Sequence, residues 1–292
     1  MKTRSISSVV FVIIVVGFFL LRQFVLIPLF DVLVGFFIAM ATFELARALN
    51  EYSVKGNFAV AAVYGVLFTP IYAVLRYAVN TDYVWLYMLI LALAGVVYSL
   101  IGCAVGKCFN KFAATVLPFV YPALLMLTLL LAGDLEEPKG FLAVLLVFVI
   151  SPCADSLAYL VGMIYNKIKK GQAKKLCPKL SPNKTWAGAI GGVMGGVLGA
   201  MLVCLIFNDK IVEIQNSIPD SARFSYPYLH FAIIGFIGAI LTEVGDLFES
   251  FIKRRIGIKD MGKIMPGHGG IMDRIDGMSF ASVAVFLWFL LI

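Results

Sequence analysis

Apolar residues run along this chain in long blocks, unlike the alternation of a strand or the one-sided stripe of a surface helix. Blocks near the ~20 residues that a helix needs to cross a bilayer fall at 5–21, 24–44, 58–79, 83–103, 112–132, 140–163, 185–207, 228–249 and 277–292. The pattern predicts an all-α, polytopic integral membrane protein with about nine spanning helices. The first block resembles a signal peptide, with Lys2 and Arg4 ahead of Val9 to Leu21. No small-residue cleavage site follows and a second block opens at Phe24, so a retained helix is expected.

Composition agrees. Of 292 residues, 61% are hydrophobic and 14% charged, with a mean hydropathy of +0.96, too few polar side chains to cover a soluble domain of this size. Placing the N-terminus in the cytoplasm puts 19 of the 24 Lys and Arg on that side, among them the seven lysines 167, 169, 170, 174, 175, 179 and 184. Arg22, Arg76, Lys139, Lys210 and Arg223 remain outside, beside the acidic Asp134, Glu136, Glu137 and Asp209, Glu213, Asp220. The bias predicts a cytoplasmic N-terminus and a cytosol-facing surface rich in positive charge, in line with the net charge of +7. Cys103, Cys108, Cys153, Cys177 and Cys204 are odd in number and form no CxxC, so free thiols are expected. The chain reads as one domain, 1–292, with N-terminal helices over about 1–132 and the chemistry over about 140–292. Nothing points to nucleic acid.

Three constellations carry chemistry. Ser181-Pro182-Asn183-Lys184-Thr185-Trp186 opens the 185–207 block, and its turn and capping residues predict a helix starting near Lys184. A helix start is an anion site, to which Lys184 adds charge and Thr185 a hydroxyl, although a snorkelling lysine at an ordinary cap has the same pattern. Gly188, Gly191, Gly192, Gly195, Gly196 and Gly199 follow. They predict two neighbouring helices at close approach.

The second constellation is acids inside apolar blocks: Asp155, and Glu243, Asp246 and Glu249 at spacings of three. An ionised acid at bilayer centre costs about 2.5–3.5 kcal/mol on insertion scales, so these must face protein, water or cations. The lone Asp31 of the second block reads as structural. The third runs from Ser250 through Lys253-Arg254 and Lys259-Asp260 to Pro266-Gly267-His268-Gly269-Gly270 and Asp273-Arg274-Ile275-Asp276. Paired glycines let a backbone approach a ligand, and Arg274 can grip a phosphate bidentately. Asp273 and Asp276 share a face if a helix starts there. Carboxylates with phosphate oxygens suit Mg²⁺.

The run from Ser250 to Asp276, S-x-x-K-R-x4-K-D-x-G-x3-P-G-H-G-G-x-x-D-R-x-D, resembles the motif of the phosphatidate cytidylyltransferases, or CDP-diacylglycerol synthases. Asp155-Ser156-x-Ala158-Tyr159-x-x-Gly162 and Ser181 to Gly188 are similar to that family too, carrying the likeness over the C-terminal half. Met265 and Asn183 depart from the usual residues. The resemblance implies transfer of CMP from CTP to phosphatidate with Mg²⁺ and, as an open possibility, a second cation, on the cytoplasmic face of the cell membrane. On it, Asp246 and Asp273 hold the metal, with Asp276 and Asp155 supporting. Asp246, Asp273, Lys184 and Lys259 are the catalytic set. Lys184, Thr185, Lys253, Arg254, Lys259 and Arg274 meet substrate, and His268, Gly269 and Gly270 shape the triphosphate loop. A homodimer is implied by the likeness alone.

Two rivals share parts of this pattern. One is another CTP-using membrane enzyme, either a CTP-dependent polyprenol kinase, which would release CDP in place of pyrophosphate, or a synthase acting on ether-linked isoprenoid lipid phosphates. A carrier would place its acids at the midplane between related halves, whereas here they gather towards one face. The D-G-x-x-A-R element of the CDP-alcohol phosphotransferases is missing, since Asp276-Gly277 is followed by Met278-Ser279-Phe280.

Overall fold

The structure, a computed structural model, describes residues 2–24, 28–52, 58–79, 83–91, 93–94, 97, 116–217, 226–262, 264 and 269–292. It is built of long helices: α1 (Lys2–Phe24), α2 (Pro28–Tyr52), α3 (Phe58–Ala73), α4 (Leu125–Gly133), α5 (Lys139–Ile168), α6 (Trp186–Ile206), α7 (Asn208–Ser217), α8 (Pro227–Ile256) and α9 (Met272–Leu291). Wider π-type turns at Val74–Ala78 and Phe119–Leu124 extend α3 and lead into α4, and 84–91 is helical as well. Between α5 and α6 lies an antiparallel pair, β1 (Lys175–Cys177) and β2 (Ser181–Thr185).

Among the described residues, seven segments are long and apolar enough to cross a bilayer: Pro28–Glu51, Phe58–Ala78, Val116–Gly133, Lys139–Ile168, Trp186–Ile206, Pro227–Ile256 and Met272–Leu291. The chain is a multi-pass, all-α membrane protein. These are seven of the nine expected blocks. The block at 5–21 falls in α1, whose Val12–Phe24 portion is a shorter apolar helix. The block at 83–103 runs beyond the described residues, as do Lys107 and Lys111.

Several helices overrun their apolar blocks: α2 reaches Tyr52, α5 Ile168 and α8 Ile256, while α9 starts at Met272. Hydropathy falls where charged residues begin, but the i→i−4 ladder continues through them. Lys253, Asp273 and Asp276 are therefore helical residues.

The chain forms two compact units, Met1–Leu130 with Ile252–Ile275, and Leu131–Phe251 with Asp276–Ile292. In the first, α2 packs on α1, α3 and the Phe119–Leu124 turn. Phe30, Phe37, Phe68, Tyr72 and Phe119 are buried at its centre, and Tyr64 meets Phe119 edge-on at 4.5 Å. The last stretch of this unit, residues 252–275, comes from the far end of the sequence and joins the N-terminal helices.

In the second unit α6 is held by glycines on two sides. A Cβ at Gly191 would lie 2.6 Å from Val161 Cβ, and one at Gly188 2.9 Å from the Ala158 carbonyl, so α5 sits on the backbone of α6. A Cβ at Gly196 would lie 2.5 Å from Ala239 Cβ and 2.9 Å from the Gly235 carbonyl, which places α8 on the adjoining face. Ile190, Met194, Leu198, Leu202 and Leu205 form the outward stripe, each more than half exposed. The two close neighbours expected of the glycine ladder are present, and the third side is an exposed apolar stripe of the kind that suits lipid. Replacing Gly196 by Val is expected to lower stability by about 1–3 kcal/mol through overpacking. Gly17→Ala, with nothing within 4 Å of its Cβ, serves as the neutral control. Thermal unfolding in detergent reads both, and equal midpoints would contradict the close crossing.

Candidate active site

Lys184 is placed by strand, cap and glycine together. β1 and β2 pair Lys175 with Thr185 and Cys177 with Ser181, and the Trp186 amide donates to the Lys174 carbonyl at 3.1 Å. Thr185, extended at φ −119°, ψ 155°, accepts from the Gly188 amide through Oγ1 at 3.0 Å. The helix starts at Trp186, two residues after Lys184 and near where the sequence places it, after the strand that pairs with β1 and with the Thr185 side chain as its cap. Thr185 is buried and its hydroxyl works on the cap. Gly162 of α5 leaves room for it, 3.2 Å from where a Cβ would stand.

From that position Lys184 Nζ reaches Asp246 Oδ2 at 2.8 Å. Burial alone would lower the pKa of this lysine, but Asp246, then Glu243 and Asp155, outweigh it and the net shift is upward. The ammonium stays charged at neutral pH and faces three carboxylates. Ser250 donates to Asp246 Oδ1 at 3.4 Å, leaving Asp246 oxygens with spare lone pairs. Glu243 lies against Gly192, where any side chain would strike its Oε1, while Glu249 is fully buried. Asp155 is exposed on α5. Close by in sequence, Gly245 lets α8 meet α9: its Cβ would lie 2.6 Å from the Asp276 carbonyl. The Asp276 carboxylate accepts from the Gly277 amide at 2.8 Å. The second unit therefore brings Asp155, Lys184, Glu243 and Asp246 into one electrostatic group.

The first unit holds the other constellation. α8 ends at Gly257, φ +79°, where the Ile258 amide returns to the Lys253 carbonyl at 2.9 Å and the Gly257 amide to that of Arg254 at 3.3 Å. Only glycine takes this left-handed position without strain, and the paired bonds are a Schellman closure. Lys253 Nζ then meets Asp273 Oδ1 at 2.8 Å, with side chains 12% and 6% exposed. Asp273 Oδ2 accepts from the amides of Met261 at 3.0 Å and Gly270 at 2.7 Å. A carboxylate has about four lone-pair sites, so three are occupied and one remains. Arg254, Lys259 and Arg274 are exposed, Arg254 donating to the Ile258 carbonyl at 3.1 Å. His268 lies outside the described residues.

The glycine doublet has a reason that the sequence reading did not supply. At Gly269, φ +90°, a Cβ would lie 2.6 Å from Asp273 Oδ2. At Gly270 and Gly262 it would strike the carboxylate of Glu44, a residue of α2 that is 4% exposed. Glu44 Oε2 accepts from the Met272 amide at 2.9 Å. The sequence signal was an acid within Thr42-Phe43-Glu44-Leu45-Ala46, which an intramembrane reading treats as functional by default. No motif in the N-terminal helices sets this acid apart.

Mg²⁺ is usually held by one or two carboxylates, with phosphate oxygens and water completing the octahedron. Among the described residues no three His, Cys, Asp or Glu side chains form a ready cage. In the second unit Asp246 keeps spare lone pairs, and in the first Asp273 keeps one.

Thr185→Ala is expected to cost about 1 kcal/mol through loss of the cap, and Thr185→Ser to retain most of it. Thermal unfolding of the two variants checks this, and equal losses would refute the capping role.

The model of the cytidylyltransferase family matches residues 2–292. A phosphatidate cytidylyltransferase of Brucella abortus is 33% identical over 159 residues, 54% of this chain and 50% of that protein. One of Haemophilus influenzae is 34% identical over 177 residues, 60% of this chain and 54% of the relative. One of Thermotoga maritima is 32% identical over 206 residues, 68% and 67% of the two chains. The chain spans about half the length of the first of these curated relatives. A match from one end of the sequence to the other, on a membrane protein with this lysine-carboxylate group, means that the chain belongs to the cytidylyltransferase family.

Proposed function

We propose that the protein transfers CMP from CTP to phosphatidate, giving CDP-diacylglycerol and pyrophosphate, as part of phospholipid synthesis. The observation that carries this reading is the Lys184–Asp246 pair with Glu243 and Asp155 beside it. An apolar helix cluster that holds one ammonium among three carboxylates suits a polyanion accompanied by a divalent cation. Family membership and the relatives' printed activity supply the substrates.

A phosphate monoester has a second pKa of about 6, so the lipid phosphate is largely dianionic at neutral pH and attacks without a side-chain base. Its oxygen forms a bond to the α-phosphorus of CTP, the bond to the bridging oxygen breaks, and pyrophosphate leaves with that electron pair. The difficulty is bringing two polyanions together, so positioning and charge neutralisation do most of the work. In the second unit Lys184 supplies a fixed cation and Asp246, supported by Asp155 and Asp276, is the proposed metal ligand. In the first, Asp273 offers its remaining lone pair, while Lys253, Arg254, Lys259, Arg274 and the His268 to Gly270 loop are proposed to bind the phosphates. Mg²⁺, when bound, would screen the triphosphate and stabilise the departing pyrophosphate. A second cation and a homodimer stay part of the proposal, as do nine spans, an N-terminus in the cytoplasm and chemistry on that side.

Purified protein in detergent with CTP, Mg²⁺ and phosphatidate is expected to release pyrophosphate and form a CMP-lipid. Release of CDP would favour a kinase, and no turnover with any lipid phosphate would overturn the reading. Asp246→Asn, still folded, is expected to lose at least about 100-fold in turnover, the scale on which preorganised charge contributes. Orientation has a separate check. A single cysteine at Lys174 in a cysteine-free background should react with an impermeant maleimide only after cells are permeabilised, and labelling of intact cells would reverse the topology.

A further inference from the structure

The mechanism above makes no use of Glu44, although it is among the most deeply buried ionisable groups of the first unit, at 4% exposure. Its surroundings are specific. Glu44 sits on α2, and its partner Met272 lies 228 residues away in sequence, at the first turn of α9. Oε2 accepts from the Met272 amide at 2.9 Å, and the Ile271 amide also bonds to the carboxylate. Oε1 is buried without a hydrogen-bond partner among the described residues. On the other side stand Gly262 and Gly270, where a Cβ would collide with the carboxylate. At these two positions the chain carries no side chain where the Glu44 carboxylate lies.

The consequence runs through Asp273. The Met272 amide is the unpaired donor at the start of α9, and fixing it fixes the direction of the turn that carries Asp273. That residue in turn holds Lys253 Nζ at 2.8 Å, the Met261 amide at 3.0 Å and the Gly270 amide at 2.7 Å. We propose that Glu44 is a positioning residue: its carboxylate pins the first turn of α9 so that Asp273 and Lys253 are aligned before substrate arrives. A burial role alone would be served by an apolar side chain. An acceptor aimed at a helix-start amide, with two glycines cleared around it, is served only by a group that keeps the hydrogen bond. The inference rests on the proposed activity for its kinetic arm but not for its structural one.

Three variants of the full chain in detergent test it: Glu44→Gln, which keeps an acceptor and nearly the same volume; Glu44→Ala, which leaves the Met272 amide unpaired; and Gly262→Ala, which keeps Glu44 but pushes its carboxylate aside. Hydrogen exchange without substrate is expected to speed up more than about tenfold at the Met272 and Gly270 amides in Glu44→Ala and Gly262→Ala. In Glu44→Gln it should stay within about threefold of wild type, and protection of α5 and α6 should not change in any variant. Turnover per folded molecule should follow the same order. For Glu44→Ala, kcat is expected to fall about 30-fold or more while KM for CTP changes less than about threefold, since the groups remain but their alignment is lost. Unchanged exchange at Met272 and Gly270 in both Glu44→Ala and Gly262→Ala would overturn the proposal whatever the kinetics. So would a Glu44→Gln variant as impaired as Glu44→Ala. If wild type releases no pyrophosphate, the activity reading falls, and the exchange measurements decide on Glu44 by themselves.

Discussion

A carboxylate on an apolar helix has to be compensated within the protein, because the surrounding lipid offers neither a counter-charge nor a hydrogen bond. Both clusters in this chain are solutions to that one requirement, reached by different routes. In the second unit the compensating group is an ammonium, Lys184, carried to Asp246 on the end of a short strand. In the first it is mainly backbone: Asp273 takes two amides besides Lys253, and Glu44 takes the amides at the start of α9.

Glycine is the corollary of this constraint. Where helix meets helix, as at Gly188, Gly191 and Gly196, its absence of a side chain lets backbones approach. Where a loop meets a carboxylate, as at Gly262, Gly269 and Gly270, the same absence makes room for a charged group. A glycine-rich stretch in a membrane enzyme can thus be shaped by the protein's own acids as much as by the ligand.

Much of this was legible in the residues. Apolar runs located the helices because crossing a bilayer demands a minimum length, and the glycine spacing named α6 as the helix with two close neighbours. The pairing of Lys184 with Asp246 was within reach, since a lysine at a helix start and acids on a neighbouring helix need each other. Two features were not legible for physical reasons. Capping by Thr185 depends on a strand pair of a few residues whose signal is lost among lysines and prolines. Glu44 depends on a contact with Met272 across most of the chain, and a single sequence read by itself holds no record of such separations. Helix ends lie beyond the apolar runs wherever charge and backbone bonding disagree, as at α8 and α9.

The starts of α6 and α9 share one further property. At each, an amide that would otherwise be open to an incoming anion already serves an oxygen of the protein: Thr185 Oγ1 on Gly188, Glu44 Oε2 on Met272. Neither helix dipole is wholly free to greet a phosphate. A polyanion bound as proposed would depend more on Lys and Arg side chains, whose pull through water weakens within about 10 Å at 0.1 M salt. Binding governed in this way responds to the ionic strength of its surroundings far more than a nest of backbone amides would.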